Sequence, residues 1–192
     1  MKKTLEELRH ARSKKDFPFL SLEDNEYVEL VITRSKISLI FVLFFTIVSI
    51  LLLTILAIIT FKNTPNDFLL ISSAFSGQVL TLLLFVLYAV ILLIGVIGIK
   101  IHFGNKLFIT NKRAIQVSVS GLFSKSTNVI ELARIEDVSF KQSGFIQAFF
   151  RYGTIRMSTV GDETTYTFPF VDTPTDEIET ISHLIHTLKE KH

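Results

Sequence analysis

The 192 residues contain no cysteine. That excludes disulfides, thiolate chemistry and cysteine-ligated zinc or iron–sulfur centres, so any folded part must hold together through its own apolar core. The chain also has little excess charge of either sign, with 20 Lys and Arg against 18 Asp and Glu for a formal +2. Nucleic-acid binding requires clustered cation to neutralise phosphates, so nucleic acid is not an expected partner. Signatures of chemistry are missing as well, with no Gly-rich phosphate loop and no GxSxG, HExxH or DxDxDG pattern. Neither an enzyme nor a cofactor is expected.

What the chain does have is apolar length, with a mean hydropathy of +0.46 and 48% hydrophobic residues. From Ile37 to Phe61, 19 of 25 residues are Leu, Ile, Val or Phe and none is charged; from Val79 to Ile99 the same holds for 16 of 21. The first run as a helix is about 37 Å long, against a hydrocarbon core of roughly 30 Å. Both runs are predicted to be transmembrane helices, residues 37–61 and 79–99, joined by a short extracytoplasmic loop over 62–78. The first run begins too late and runs too long for a secretory signal. Arg34 and Lys36 precede the first span and Lys100, Lys106, Lys112 and Arg113 follow the second, whereas Lys62 is the one cation of the loop. The positive-inside rule therefore places both termini in the cytoplasm, as a multi-pass protein of the cell membrane. Thr81, Tyr88, Gly95 and Gly98 form a small or polar stripe on the second span, read as a helix-packing face against the first span or a second copy.

The arm before the spans, residues 1–36, is charge-mixed. Thr4-Leu5-Glu6-Glu7 is a capping-box pattern predicting a short helix from Leu5 to Lys14, either solvated or docked. Glu26–Lys36 reads as a strand or as the cytoplasmic end of the first span.

After the second span the texture changes. Residues 104–192 carry ten Lys and Arg and ten Asp and Glu, enough chain for one small domain. LFITNKRAI, Leu107 to Ile115, reads as strand, turn, strand, with Asn111 able to take a left-handed conformation. Ile115, Val117 and Val119 alternate with Gln116, Ser118 and Ser120 as in a half-buried strand. Further strands are predicted around Asn128–Leu132, Ile135–Phe140, Thr154–Ser158 and Thr164–Phe168, a meander of short antiparallel strands. Gly144–Phe150 is an apolar insertion, a short helix or a loop. A closing amphipathic helix over about 174–189 has Thr173 as N-cap and Ile178, Ile181, Leu184, Ile185 and Leu188 on its apolar side.

Few residues suggest chemistry. His183 and His186 are three apart on the last helix, but no carboxylate completes a metal site, and none is expected. The pairs Glu136-Asp137 and Asp162-Glu163 read as solvated charges, since neighbours on a strand point to opposite faces. Lys106, Lys112 and Arg113 around the first hairpin are candidates for contact with anionic lipid headgroups. Phe145, Ile146, Phe149 and Phe150 are candidates for contact with a partner or the membrane.

"LFITNKRAI", a Gly-containing break, "NVIELARIEDVSF", "YGTIRMST", a Gly-Asp turn and "YTFPFVDTP" before a final helix, all after paired spans, resemble the bacterial pleckstrin-homology-like (PH-like) family of membrane-flanked domains. The resemblance runs from about Lys106 to Leu188. It implies a mainly-β barrel of about seven strands in two near-orthogonal sheets, capped by the C-terminal α-helix, and it implies no enzyme. The basic motif of phosphoinositide-binding relatives is denser than the Lys112-Arg113 pair here. The expectation is a two-helix transmembrane hairpin holding a PH-like cytoplasmic domain, acting as a binding or scaffold module. The lipid bilayer and another membrane or cytoplasmic protein, or a second copy, are its expected partners. Anionic-lipid sensing and service as an accessory subunit of a membrane complex are the alternatives.

Overall fold

The computed structural model describes residues 4–62, 77–159, 165–172 and 175–190. It divides into two compact units, Met1–Ile37 with Phe103–His192, and Ser38–His102. The turn residues Asn63 to Asp67, the Asp162-Glu163 pair and the Thr173 cap lie outside the described residues.

The second unit consists of the larger parts of two long helices, α2 (Lys36–Lys62) and α3 (Gly77–Gly104). Both are apolar all round, and segments Lys36–Ile59 and Gln78–Gly104 are long and apolar enough to cross a membrane. Most of their large side chains are exposed, including Phe45, Leu52, Leu82 and Phe85.

The first unit is mainly β and draws on both ends of the chain. Helix α1 (Leu5–Asp16) starts with a reciprocal capping box between Thr4 and Glu7. It docks on β1 (Val28–Thr33), where the Ser13 hydroxyl accepts the Val28 N–H at 3.0 Å and Arg9 meets Glu29 at 3.2 Å. An edge strand is thereby covered. The arm's last stretch is thus a strand, and it leads a four-stranded antiparallel sheet, β1-β2-β3-β4, with β2 (Lys106–Thr110), β3 (Arg113–Val119) and β4 (Lys125–Glu131). In this ladder Thr33 pairs with Lys106, across the whole sequence of both long helices.

A 3-10 turn at Leu132–Arg134 leads to the second sheet, β5-β6-β7, formed by β5 (Ile135–Lys141), β6 (Tyr152–Thr159) and β7 (Thr165–Asp172). Helix α4 (Phe145–Phe149) joins β5 to β6. Helix α5 (Thr175–Glu190) packs on the second sheet and the 3-10 turn through Ile181 and Ile185, both buried. Ile135 and Val138 both reach the core because the β5 register shifts between Ile135 and Asp137, which accounts for their uneven spacing.

The expected closed barrel does not form: among the described residues no ladder joins the two sheets. The outer edge of β7 is unsuited to continuing one. Pro169 brings no N–H, and Phe170 is a bulge residue in the left-handed region with φ 61°. A backbone hydrogen bond, from Ser35 N–H to the Phe170 carbonyl, touches that edge. Opposite the bulge lies Gly153, where a Cβ would come within 2.6 Å of the Lys141 carbonyl and the Phe140 ring.

Strands β2 and β3 of the first sheet are buried on both faces. Leu107, Ile109, Ala114 and Ile130 enter the core shared with the second sheet and α5. Phe108, Ile115 and Val117 form a second cluster with Leu20 of the arm, flanked by Phe17 and Leu22. Segment 17–22 therefore lies over a face that the alternation of β3 marks as apolar. The opposite face of β3 carries Gln116, which is buried rather than solvated and donates from Nε2 to the Thr167 carbonyl of β7 at 3.1 Å. That bond ties the sheets together.

Candidate functional site

The first hairpin turns at Asn111-Lys112, but Asn111 does not take the expected left-handed backbone. The turn is held instead by the buried Thr110 hydroxyl, which accepts the N–H groups of Lys112 at 3.1 Å and Arg113 at 2.8 Å. Asn111 is used for docking: its side chain accepts the Tyr27 N–H and donates to the Asn25 carbonyl, both at 3.1 Å. Asn25 carries the positive φ, 59°, that this tight segment needs.

Beside the turn stands Glu26, whose side chain is fully buried. Arg113 grips it with two prongs, Nη2 to Oε2 at 2.6 Å and Nε to Oε1 at 3.0 Å. The carboxylate also accepts from the Glu23 N–H at 2.8 Å and the Thr110 hydroxyl at 2.7 Å. Burial pushes the Glu26 carboxyl up, but its bonds to Arg113, the Glu23 N–H and Thr110 outweigh that and hold it below the usual carboxylate range. The Glu26 hydrogen bonds raise Arg113 in turn. Arg113 further donates to the Ser21 carbonyl at 3.0 Å and pairs with Glu23 at 3.4 Å; Lys112 reaches the Asp24 carbonyl at 3.0 Å and Glu23 at 3.5 Å. Both cations of the hairpin are thus engaged by segment 21–26 of the arm.

Lys106 lies apart from this clamp, at the far end of β2. With Lys125 it borders a cleft on the arm-covered face of the first sheet, with Phe19, Phe103, Phe108, Val117 and Val119 as its apolar lining. Among the described residues neither lysine has a carboxylate partner, and Lys125 Nζ sits 5.5 Å from the centre of the Phe19 ring. The floor is tight. A Cβ on Gly104 would come within 2.6 Å of Val119, and Asn105 clasps the Val119 backbone with bonds of 3.0 and 3.2 Å.

On the second sheet, Phe145, Ile146, Phe149 and Phe150 are exposed together around α4, with Phe145 at 81%. Phe145 and Phe149 stack at 5.8 Å, and Phe149 meets Phe150 edge-on at 5.1 Å. Gly144 begins this element at φ 87°, a conformation natural to glycine. Nearby in the fold of the same unit, Arg34 lies over the bulged Phe170 ring at 5.8 Å, and Phe170 stacks on Tyr152 at 5.5 Å. Burial lowers the Arg34 pKa, and its Nε has no hydrogen-bond partner among the described residues.

In the helical unit, Tyr88, Gly95 and Gly98 face α2. The Tyr88 hydroxyl meets Thr54 Oγ1 at 2.7 Å; a Cβ on Gly95 would approach Thr46 to 3.0 Å and one on Gly98 would approach Val42 to 2.7 Å. Thr81 is instead exposed, in a shallow depression with Gln78, Leu82 and Phe85. The buried His102 is hydrogen-bonded to the Ser38 hydroxyl. His183 and His186 are exposed, as are Glu136 and Asp137, and no three His, Asp or Glu side chains cluster as a metal site among the described residues.

Glu23, Glu26, Phe19 and Lys125 were not foreshadowed by sequence. Glu26 acquires its meaning from Arg113, 87 residues away, and no local pattern announces such a pair. For Phe19 the Phe17-Pro18-Phe19-Leu20 run was the available signal.

No curated protein matches the chain. One similar solved structure is a DUF1696 family protein with a pleckstrin-homology domain from Shewanella loihica PV-4, with 18% identity over 43% of this chain and 68% of that one, and a TM-score of 0.33. The family model described as Bacterial PH domain matches residues 17–186, which takes in the arm from Phe17 as well as both long helices and the two sheets. The chain belongs to the bacterial PH domain family.

Proposed function

We propose that the protein is a membrane-anchored, non-enzymatic PH-like binding module, carried on a two-span hairpin at the cytoplasmic face of the cell membrane. The observation that carries this reading is the split of the β unit. Strand β1 precedes α2 and its partner β2 follows α3, with Thr33 opposite Lys106. If α2 and α3 both cross the bilayer, the chain leaves and returns on one side, and the ladder closes there. Arg34 and Lys36 before the spans, and Lys100 and Lys106 after them, favour the cytoplasm for that side.

An anchored module works by raising the local concentration of what it binds. The contact we assign to a protein partner, another membrane or cytoplasmic protein or a second copy, is the exposed Phe145, Ile146, Phe149 and Phe150 group. Engagement of Lys112 and Arg113 within the arm favours this reading over lipid sensing by the hairpin. Alkaline carbonate extraction tests the anchor: a chain that stays with the membrane pellet supports it, and a chain released to the supernatant refutes it.

A further inference from the structure

We infer that the outer edge of β4 pairs antiparallel with β4 of a second copy, about a twofold axis at Asn128, joining two four-stranded sheets into one. Each of the other outer strands of the two sheets carries something that blunts an edge. Helix α1 docks on β1, β7 has Pro169 and the left-handed Phe170, and β5 is bulged between Ile135 and Asp137 and packed by α5. Strand β4 has none of these devices. Its seven residues, Lys125–Glu131, pair with β3 in unbroken register and include neither proline nor glycine. Every side chain but that of Ile130 is exposed. Among the described residues no strand pairs with its outer side, and its backbone makes no hydrogen bond to other backbone beyond the β3 ladder. An edge of this kind is a template for a further strand.

The sequence of the strand favours its own copy as the occupant. With Asn128 on the axis, Lys125 stands opposite Glu131 of the second copy and Glu131 opposite its Lys125, while Ser126 faces Ile130 and Thr127 faces Val129. Directly opposed residues share a sheet face, where opposite charges attract and like charges repel. This register pairs all seven positions, and a slip in either direction loses both ion pairs. A parallel arrangement would set Lys125 against Lys125 and Glu131 against Glu131. The charges are available for such a contact. Lys125 meets the Phe19 ring but has no carboxylate partner among the described residues. Glu131 has only a loose, exposed contact with Arg134 at 3.8 Å among them. Val129, 49% exposed, gains a β-branched neighbour across the strand. Phe123, fully exposed in the turn before β4, stands at the Lys125 end, toward which the 3-10 turn of the second copy would come. The contact is isologous and therefore closes at two chains. It lies on a different sheet from the Phe145 group and assumes nothing about the membrane.

Because the chain has no cysteine, Asn128→Cys gives the full-length protein a single thiol on the axis, with its counterpart about 4.5–5.5 Å away between Cβ atoms. Mild oxidation in native membranes should produce a reducible band of twice the chain's mass, well above that from Ser139→Cys, an exposed position on β5. No excess over Ser139→Cys overturns the inference, as does a cross-linked band of any other mass, which would put a different polypeptide on this edge. A second measurement follows self-association in detergent by analytical ultracentrifugation. Lys125→Glu and Glu131→Lys each place like charges at both ends of the pairing, and each alone should weaken it by about tenfold. Mixing the two variants, or combining both changes in one chain, puts opposite charges back at both ends and should restore association; a mixture that stays dissociated overturns the inference. Phe145→Asp with Phe149→Asp should leave the Asn128→Cys cross-link intact, so failure of the partner contact proposed above and failure of this pairing are read separately.

Discussion

Arg113 of β3 holds the buried carboxylate of Glu26 through two hydrogen bonds of 2.6 and 3.0 Å, joining a segment that precedes both apolar helices to a hairpin that follows them. The bond engages the guanidinium of the basic hairpin within the fold. That guanidinium is also what makes burial of Glu26 tolerable, since an unpaired carboxylate there would be strongly disfavoured.

Removing one partner should therefore be costly. Arg113→Ala is expected to destabilise the β unit by about 3–5 kcal/mol, because it leaves Glu26 buried and uncompensated. Lys112→Ala, which loses one exposed ion pair, should cost under about 1 kcal/mol. Thermal or denaturant unfolding of the two variants checks the contrast, and similar losses would mean that the clamp is not the source of the stability.

The same carboxylate sets an acid limit. Its folded pKa lies below the unfolded one, so its contribution is complete above the ordinary carboxylate range and disappears as pH falls through the folded value. Unfolding followed at decreasing pH should show this loss in the native chain. In Glu26→Gln the acid-dependent part should shrink, from a lower starting stability.

The arm should be indispensable to the domain. A fragment of residues 104–192 keeps six of the strands but lacks β1 and the cover over Phe108, Ile115 and Val117. Exposing such a cluster costs on the order of 1.5–3 kcal/mol per large side chain, more than a small domain can lose. The fragment is expected to aggregate or remain unfolded by circular dichroism, whereas residues 4–36 joined to 104–192 by a short flexible linker should fold.

That dependence marks where the sequence stops being legible. Local signals suffice for the long helices, the capping box at Thr4 and the strands of the second sheet, since each is set by run length, side-chain period or cap chemistry within a few residues. The pairing of β1 with β2 is decided by contacts across more than 70 residues, and Glu26–Lys36 has no period of its own to reveal it. The β3 alternation was readable, yet its apolar side meets the arm and its Gln116 side meets the second sheet. A two-sided strand looks one-sided when one buried face is polar. Barrel closure failed for a reason that was partly visible, the Pro169 in β7, and partly not, the left-handed Phe170 beside it. At the candidate sites, Lys106, Lys112 and Arg113 looked alike by charge, and their fates differ only through partners brought in from the arm.

Helix packing gives a separate test. Gly98→Ala places a methyl carbon 2.7 Å from Val42, against 3.0 Å from Thr46 for Gly95→Ala. Interhelical contact in lipid depends on small residues at such points. The Gly98 variant should lower thermal stability in detergent more than the Gly95 variant does, and the reverse order would contradict the packing described for α2 and α3.

For the aromatic group, Phe145→Asp with Phe149→Asp should leave the unfolding temperature nearly unchanged, since both side chains are exposed. Proteins that co-purify with the native chain from membranes in mild detergent should be lost from the variant. Unaltered co-purification would remove this surface as the partner contact.

The central claim is that one β unit, built from both ends of the chain, sits on the cytoplasmic side of a membrane crossed by α2 and α3. Because the chain has no cysteine of its own, cysteines introduced singly at Lys15, Asn66 and Glu131 can be probed with a membrane-impermeant maleimide in intact cells. Labelling at position 66 alone, with positions 15 and 131 reacting only after permeabilisation, is the predicted result; labelling of 15 or 131 from outside would contradict it.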